Sequence, residues 1–367
     1  MKFALIENGS NPVRDRIAGE IVQACRARGH ELAPAENGVK FVLNLTDTAA
    51  PRIFRRHAQS VVVFSLVTAD APLEDLRSLC YTTLVRSLSN MVLCAVQRPE
   101  AAEDRGPAWE MYFTTPEAGF YHLPYDVETI CDKLLPIAGA RFAIDNRISE
   151  DLPPAVWETS PVIEDLRRAA VRLGGLGVLP LPIPLHELLS EDSIRHIFLI
   201  FGMKGLSYGN MSARERILGL GDSTFWMTAR GVDKSRVSVI GRDFLLVRGL
   251  DYEARKVNVS APPSRDPRAR VSVDAVEHEL IYRTFPDVGA IVHVHAWVDG
   301  IVCTRQNYPC GTIELAEEVV RMFRETPVPG RAIVGLKNHG ITVTGPDLDD
   351  IFGRLEGRLR TEVRMIA

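Results

Sequence analysis

The chain has 367 residues, 46% apolar and 25% charged, with a formal net charge of −4. That is an ordinary globular balance with length for two or three domains, and so small a charge argues against general affinity for nucleic acid or membranes. Six cysteines show no CxxC pair and read as reduced thiols. No apolar run reaches membrane-spanning length, and the start MKFALIENGS lacks a signal-peptide pattern, so a cytoplasmic protein is expected.

Residues 2–7 (KFALIE), 39–45 (VKFVLNL), 60–67 (SVVVFSLV) and 91–97 (MVLCAVQ) read as buried strands, with 109–114 as a fifth. Helices are expected over 13–28, near 50–56, over 73–88 and over 127–137. Short apolar strands alternating with helices indicate a parallel sheet covered on both faces. Residues 1–145 are therefore read as a small doubly wound α/β domain of Rossmann or flavodoxin type. Its first loop, Asn8-Gly9-Ser10-Asn11, sits where such sheets bind ligands, but reads first as an ordinary strand-to-helix turn with its cap. No GxGxxG follows the first strand and there is no P-loop.

Residues 146–186 are charged and proline-bearing and read as a linker with a helix from 161 to 173. A helix follows over 187–203, with apolar residues Leu188, Ile194, Ile197, Phe198 and Phe201. A strand pair is expected around 237–247, then helices over 274–283, 314–324 and 348–360. Between them lies the apolar run VGAIVHVHAW (288–297), with His293 and His295 one residue apart. In a strand these point to one face. Two buried imidazoles need partners, and a metal ion satisfies both. His339, inside a second apolar run (333–345), makes a third ligand and leaves a coordination position open. The competing reading is three core histidines satisfied by hydrogen bonds.

Five motifs occur in order from residue 209 onward. They are Gly209-Asn210-Met211-Ser212-Ala213-Arg214, Thr228-Ala229-Arg230-Gly231, Asp274 opening a helix, His293-Val294-His295, and Asn338-His339-Gly340. Over residues 187–362 the chain thereby resembles the class II aldolase and adducin family. The resemblance implies an αβα domain at 187–367 with a mainly antiparallel sheet, and a homo-oligomer, usually a cyclic tetramer. It implies His293, His295 and His339 as ligands of a divalent metal, most often zinc, sometimes manganese. Borderline first-row ions suit neutral imidazoles.

Asp274 takes the place of the family's acid/base, which is Glu in the aldolases and Asp in the sugar-phosphate 4-epimerases. With Glu277 it also fits a capping signature. Gly209, Asn210, Arg230, Gly231 and Ser272 fall where the family holds substrate phosphate. Val273 replaces a second serine, and Arg230 replaces a hydroxyl residue. A guanidinium there can hold phosphate or carboxylate bidentately. Lys204, Arg214 and Arg283 read as structural or solvated cations. A second acid/base group is expected among Tyr308, Glu314, Glu317 and Glu318, or in a tail longer than the one after His339. The implied activity is that of a metal-dependent lyase or epimerase on a sugar or sugar phosphate. The metal polarises a substrate oxygen, a base takes a hydroxyl proton, the C–C bond breaks to release an aldehyde, and the metal stabilises the resulting enediolate. Protonation gives an aldolase, and re-addition of the aldehyde an epimerase. The alternatives are a sugar-phosphate dehydratase using the same metal, or an adducin-like, non-catalytic binding module.

Overall fold

Lys2–Glu7 forms strand β1, and Pro12–Ala27 forms helix α1, capped by Asn11 and opened by Pro12. The chain continues through β2 (Glu31–Leu32), β3 (Phe41–Leu45), β4 (Val62–Ala69), α2 (Leu73–Ser87) and β5 (Met91–Gln97). Then come β6 (Trp109–Thr114), β7 (Phe120–Pro124) and α3 (Val127–Gly139). This computed structural model describes residues 1–366 except 37, 57, 59, 71, 98–108, 118, 181–185, 187–189, 193 and 196–206. Contacts divide the chain into two units: Met1–Ala140 with Leu185–Ile194 and Met365–Ala367, and Arg141–Pro184 with Arg195–Arg364. No described helix is long and apolar enough to cross a membrane.

The first unit is a sheet in the order β2-β1-β3-β4-β5-β6-β7. The first five strands are parallel, and β6 and β7 add an antiparallel edge. The step from β1 to β2 and the step from β4 to β5 run in opposite directions along the sheet. Right-handed crossovers therefore place α1 and α2 on opposite faces. The loop after β1 spends its polar groups on the sheet. Asn8 Nδ2 donates to Asn44 Oδ1 (3.0 Å), and Asn11 Nδ2 donates to Thr68 Oγ1 (3.0 Å). The fully buried Arg14 donates to Gly9 O, Thr46 O and Asp47 Oδ1. This favours the structural reading of that loop.

Several local expectations are corrected. Residues 51–56 form no regular secondary structure rather than a helix. Pro51 disfavours helix at the residue before it. Side chains at the end of β3 also satisfy this segment: Arg52 N donates to Thr46 Oγ1, and Arg52 O accepts from Asn44 Nδ2. The helix expected over 187–203, with most of its apolar stripe, and Lys204 lie outside the described residues.

The second unit contains β8 (Asp145–Ser149), α4 (Pro161–Gly175), β9 (Asn210–Arg214), β10 (Phe225–Thr228), β11 (Phe244–Asp251) and β12 (Lys256–Ser260). It continues with α5 (Ala275–Thr284), β13 (Ala290–Val294), α6 (Ile313–Arg324), β14 (Ile333–Leu336), β15 (Gly340–Gly345) and α7 (Leu348–Leu355). Its sheet runs β14-β15-β13-β9-β10-β11-β12-β8, antiparallel except for the β12–β8 pair. Residues 145–149, inside or beside the stretch read as a linker, thus supply an edge strand. In place of a strand pair around 237–247, residues 237–239 are irregular, residues 241–243 form a turn, and one bulged strand, β11, pairs on both sides. The last helix stops at Leu355 because Gly357 takes φ +71°.

Helices α5 and α6 pack on one face of this sheet, over Phe225, Met227, Leu245, Val247 and Ile291. Helix α4 buries Ile163, Leu166, Ala169, Ala170 and Leu173, a helical spacing, and packs against α7 and β9. The resulting αβα layering is the fold class expected from the sequence.

Two glycines set how closely the strands approach the histidine segment. A Cβ on Gly209 would lie 2.5 Å from His293 O, and one on Gly340 would lie 2.3 Å from Val294 O. Gly340→Ala is expected to lower unfolding free energy by about 2–3 kcal/mol. Gly353→Ala, inside α7 with nothing within 4 Å of the new Cβ, is expected to raise it by about 0.5–1 kcal/mol. Denaturant midpoints of the two variants check both.

Candidate metal centre

The site is built where β13 ends and β15 begins. His293 lies in register with Thr342 of β15 on one side and Asn210 of β9 on the other. His295 follows two residues later, just beyond the strand. His339 comes from the three-residue turn between β14 and β15. Asn338 adopts φ +57°, the left-handed conformation such a turn requires, and His339 N donates to Leu336 O. Gly340 then lets the turn settle onto the β13 backbone.

All three imidazoles are buried, and their candidate ligand atoms lie within 4.8 Å of one another. His339 Nε2 is 3.1 Å from His295 Nε2. His293 Nδ1 is 3.1 Å from Ile341 O, so this nitrogen carries the proton and Nε2 presents a lone pair. His293 Nε2 and His295 Nδ1 are buried without a partner. Burial lowers the pKa of each ring. His293 and Lys234 add to this at His295, His295 and His293 add to it at His339, and Asp274 opposes it at His293. The rings are therefore neutral at pH 7, the form that ligates a metal. Three converging buried imidazoles, two of them with an orphaned nitrogen, fit a divalent ion better than a hydrogen-bonded core. Cys310 Sγ lies 3.4 Å from His339 Nε2.

Asp274 stands immediately before α5 and is buried, but its side chain does not cap the helix. Asp274 Oδ2 accepts from Asn210 Nδ2 at 2.7 Å, with Ser272 Oγ at 3.5 Å, and Oδ1 has no partner. Glu277, read as the other half of a capping pair, instead accepts from Thr342 Oγ1 at 2.6 Å. Burial, with the Asp274 charge adding to it, pushes the Glu277 carboxyl up to about 8. Beneath the same helix, Ser212 Oγ bridges His278 Nδ1 (2.7 Å) and Tyr282 Oη (2.8 Å). A buried polar layer thus lies between α5 and the sheet.

Asp274, Asn210, Ser272, Gly209 and the triad are brought together. Arg230 is placed differently. It lies largely buried on the loop after β10, and its Nη2 donates to Ile144 O while Nε is unpartnered. Gly231, at φ +73°, turns that loop. Val273 leans on Gly311, where a Cβ would be 3.2 Å away. Arg214 binds Val288 O and Tyr282 O, and Arg283 covers the Tyr252 ring. Glu314, Glu317 and Glu318 are engaged by Arg141, or by Arg321 and the Arg305 amide. Tyr308 packs on the core.

The group that the sequence reading passed over is Lys234, three residues past Gly231. It is 5% exposed; its Nζ donates to Ser207 O at 3.2 Å and its amide donates to Ser207 Oγ. Burial pushes its pKa down to about 8, against the pull of Asp274 and Asp233.

Residues 193–306 match the family model described as the class II aldolase and adducin N-terminal domain. This segment belongs to the class II aldolase and adducin family. It contains Asn210, Lys234, Asp274, His293 and His295; His339 lies beyond it. A methylthioribulose-1-phosphate dehydratase of Enterobacter sp. is 35% identical over 142 residues, covering 39% of this chain and 55% of the relative. One from Leptospira borgpetersenii is 28% identical over 125 residues, 32% of this chain and 46% of the relative. The chain spans about half the length of these curated relatives. The N-terminal class II aldolase domain of a Thermoplasma acidophilum protein is similar at 16% identity. That match covers 57% of this chain and 93% of the other, with a TM-score of 0.35.

The Glu277 carboxyl has a consequence for stability. Unfolded, it ionises at about 4.5; folded, it keeps its proton to about 8. The folded state binds more protons in that window, so stability falls as pH rises through it. Wild type is expected to lose stability relative to Glu277→Gln between pH 5 and pH 8, in paired denaturant titrations. Equal slopes for the two proteins would contradict it.

Proposed function

We propose that this chain is a metal-dependent lyase acting on a sugar phosphate, with bond cleavage next to a carbonyl through an enediolate. The observation that carries the reading is the convergence of three neutral, buried imidazoles close to a buried carboxylate with an unpartnered oxygen. The residues present fit a divalent ion, zinc or manganese, held by His293, His295 and His339. Such an ion supplies Lewis-acid polarisation of a substrate oxygen.

The chain's own residues supply the rest. Asp274 accepts the substrate proton at Oδ1, and the Asn210 amide holds Oδ2 and orients the carboxyl. The burial of this carboxylate and of the imidazoles around it keeps bulk water from the developing negative charge. The Gly209–Asn210 turn, the loop through Arg230 and Gly231, and the Ser272 hydroxyl are proposed to hold the phosphate. Arg230 would serve through its unpartnered Nε rather than as a freely swinging guanidinium. The names of the curated relatives favour dehydration: a proton leaves the carbon beside the carbonyl, and a hydroxyl departs from the next carbon as water. Retro-aldol cleavage shares the enediolate and is the second reading; epimerisation extends it. A cytoplasmic homo-oligomer, tetrameric by the resemblance, belongs to the same proposal.

Methylthioribulose 1-phosphate is the first substrate to assay, with aldehyde release from ketose phosphates measured alongside. Activity on one of them is expected to vanish with chelator and return with Zn2+ or Mn2+. Asp274→Asn should lower kcat by about 10²–10⁴-fold while retaining metal. A metal-free protein, indifferent to chelator and to His295→Ala, would point to the non-catalytic binding module instead.

A further inference from the structure

Lys234 is a buried ammonium with little to compensate it. Its nitrogen has three hydrogens, and the described partner is one neutral carbonyl, Ser207 O. Among the described residues it forms no ion pair. Asp274 and Asp233 act on it through their fields alone. Leaving a charge in this state costs stability, and chains retain such groups where a ligand completes them.

The surroundings specify that ligand. Ser207, the partner of Lys234, lies two residues before Gly209, whose backbone rests against His293 O. The ring of the intervening Tyr208 is 5.3 Å from that of His295. The lysine charge also acts on His295 and responds to Asp274, so the ammonium shares the field of the metal centre. Unpartnered atoms of the same centre are Asp274 Oδ1, Asn210 Oδ1, His293 Nε2 and His295 Nδ1, which accept hydrogen bonds or ligate a cation. Of the cations on the loop after β10, Arg230 is turned toward Ile144 O, Arg236 pairs with Asp233 and Arg242 with Asp243. Lys234 is the one held in a field shared with both His295 and Asp274.

We propose that Lys234 is an oxyanion-binding residue of this site, its ammonium joining the Gly209–Asn210 turn and the Arg230–Gly231 loop in holding the phosphate or carboxylate end of the substrate beside the three histidines. The proposal deepens the lyase reading and rests on it for the identity of the substrate, not for the binding itself. A compact ammonium suits an oxyanion of variable orientation, where a guanidinium would impose a planar fork. Its lowered pKa still leaves it mostly protonated at pH 7.

The test compares wild type with K234M, both as purified, by calorimetric titration with inorganic phosphate and, separately, with glycolate. K234M is expected to bind one of these anions at least tenfold more weakly. Loss confined to phosphate identifies a phosphate ester as the natural anion, and loss confined to glycolate identifies a carboxylate. K234M is also expected to melt no lower than wild type without ligand, because it removes an uncompensated buried charge. A purely structural lysine would give the opposite: a lower melting temperature and unchanged anion affinity. That pair of results overturns the proposal, as does a wild type that binds neither anion. If K234M does not fold, a phosphate-soaked wild-type crystal decides. A phosphate oxygen within about 3.2 Å of Lys234 Nζ supports the assignment. Phosphate bound elsewhere, with Nζ still on Ser207 O alone, refutes it. Metal content measured on the same samples separates this result from the lyase reading. A metal-free wild type would end that reading, whereas the Lys234 comparison would still stand.

Discussion

The close approach of two backbones to the end of β13 governs this structure. Gly209 lies against His293 O and Gly340 against Val294 O, each at a distance no Cβ tolerates. The first contact brings Asn210 level with His293, and the second delivers His339 from a left-handed turn to within 3.1 Å of His295. Without this approach the imidazoles would sit on separate strands with no common point. With it, neutral nitrogens converge in a buried space where hydrogen bonding leaves two of them unsatisfied. Such a constellation is costly to fold unless a cation completes it.

Around that point the chain keeps polar groups where a hydrophobic layer would be the simpler choice. Helix α5 carries Glu277, His278 and Tyr282 on the side facing the sheet, and β9 and β15 answer with Ser212 and Thr342. Fully paired networks of this kind fix side-chain orientation. Among the described residues of this layer, pairing is incomplete near the histidines and Asp274, and at His278 Nε2. The stability cost thus falls largely on the atoms that would meet a ligand.

Much of this was legible in the sequence. The period-two spacing of His293 and His295 and the Asn-His-Gly turn announce converging ligands, and the ordered motifs around them indicate the fold of the second unit. The alternation of apolar strands with helices likewise gives the parallel sheet of the first. What was not legible depended on tertiary contacts. Asp274 and Glu277 have capping spacing, yet their carboxylates meet Asn210 and Thr342, partners far away in sequence. Lys234 goes unremarked because nothing in the sequence signals the packing that buries it against Ser207. Residues 145–149 lack apolar alternation, and their strand exists only because β12 offers an open edge. The helix expected at 50–56 yields to side chains of β3 that capture its backbone.

The central claim is that these three histidines hold one divalent ion. Anomalous diffraction at the absorption edge of the metal found in the purified protein tests it most directly. The account predicts a single strong peak about 2.0–2.1 Å from a nitrogen of each of His293, His295 and His339 if the ion is zinc. A crystal grown with excess metal that shows no peak there, with the imidazoles hydrogen-bonded to one another instead, would contradict it.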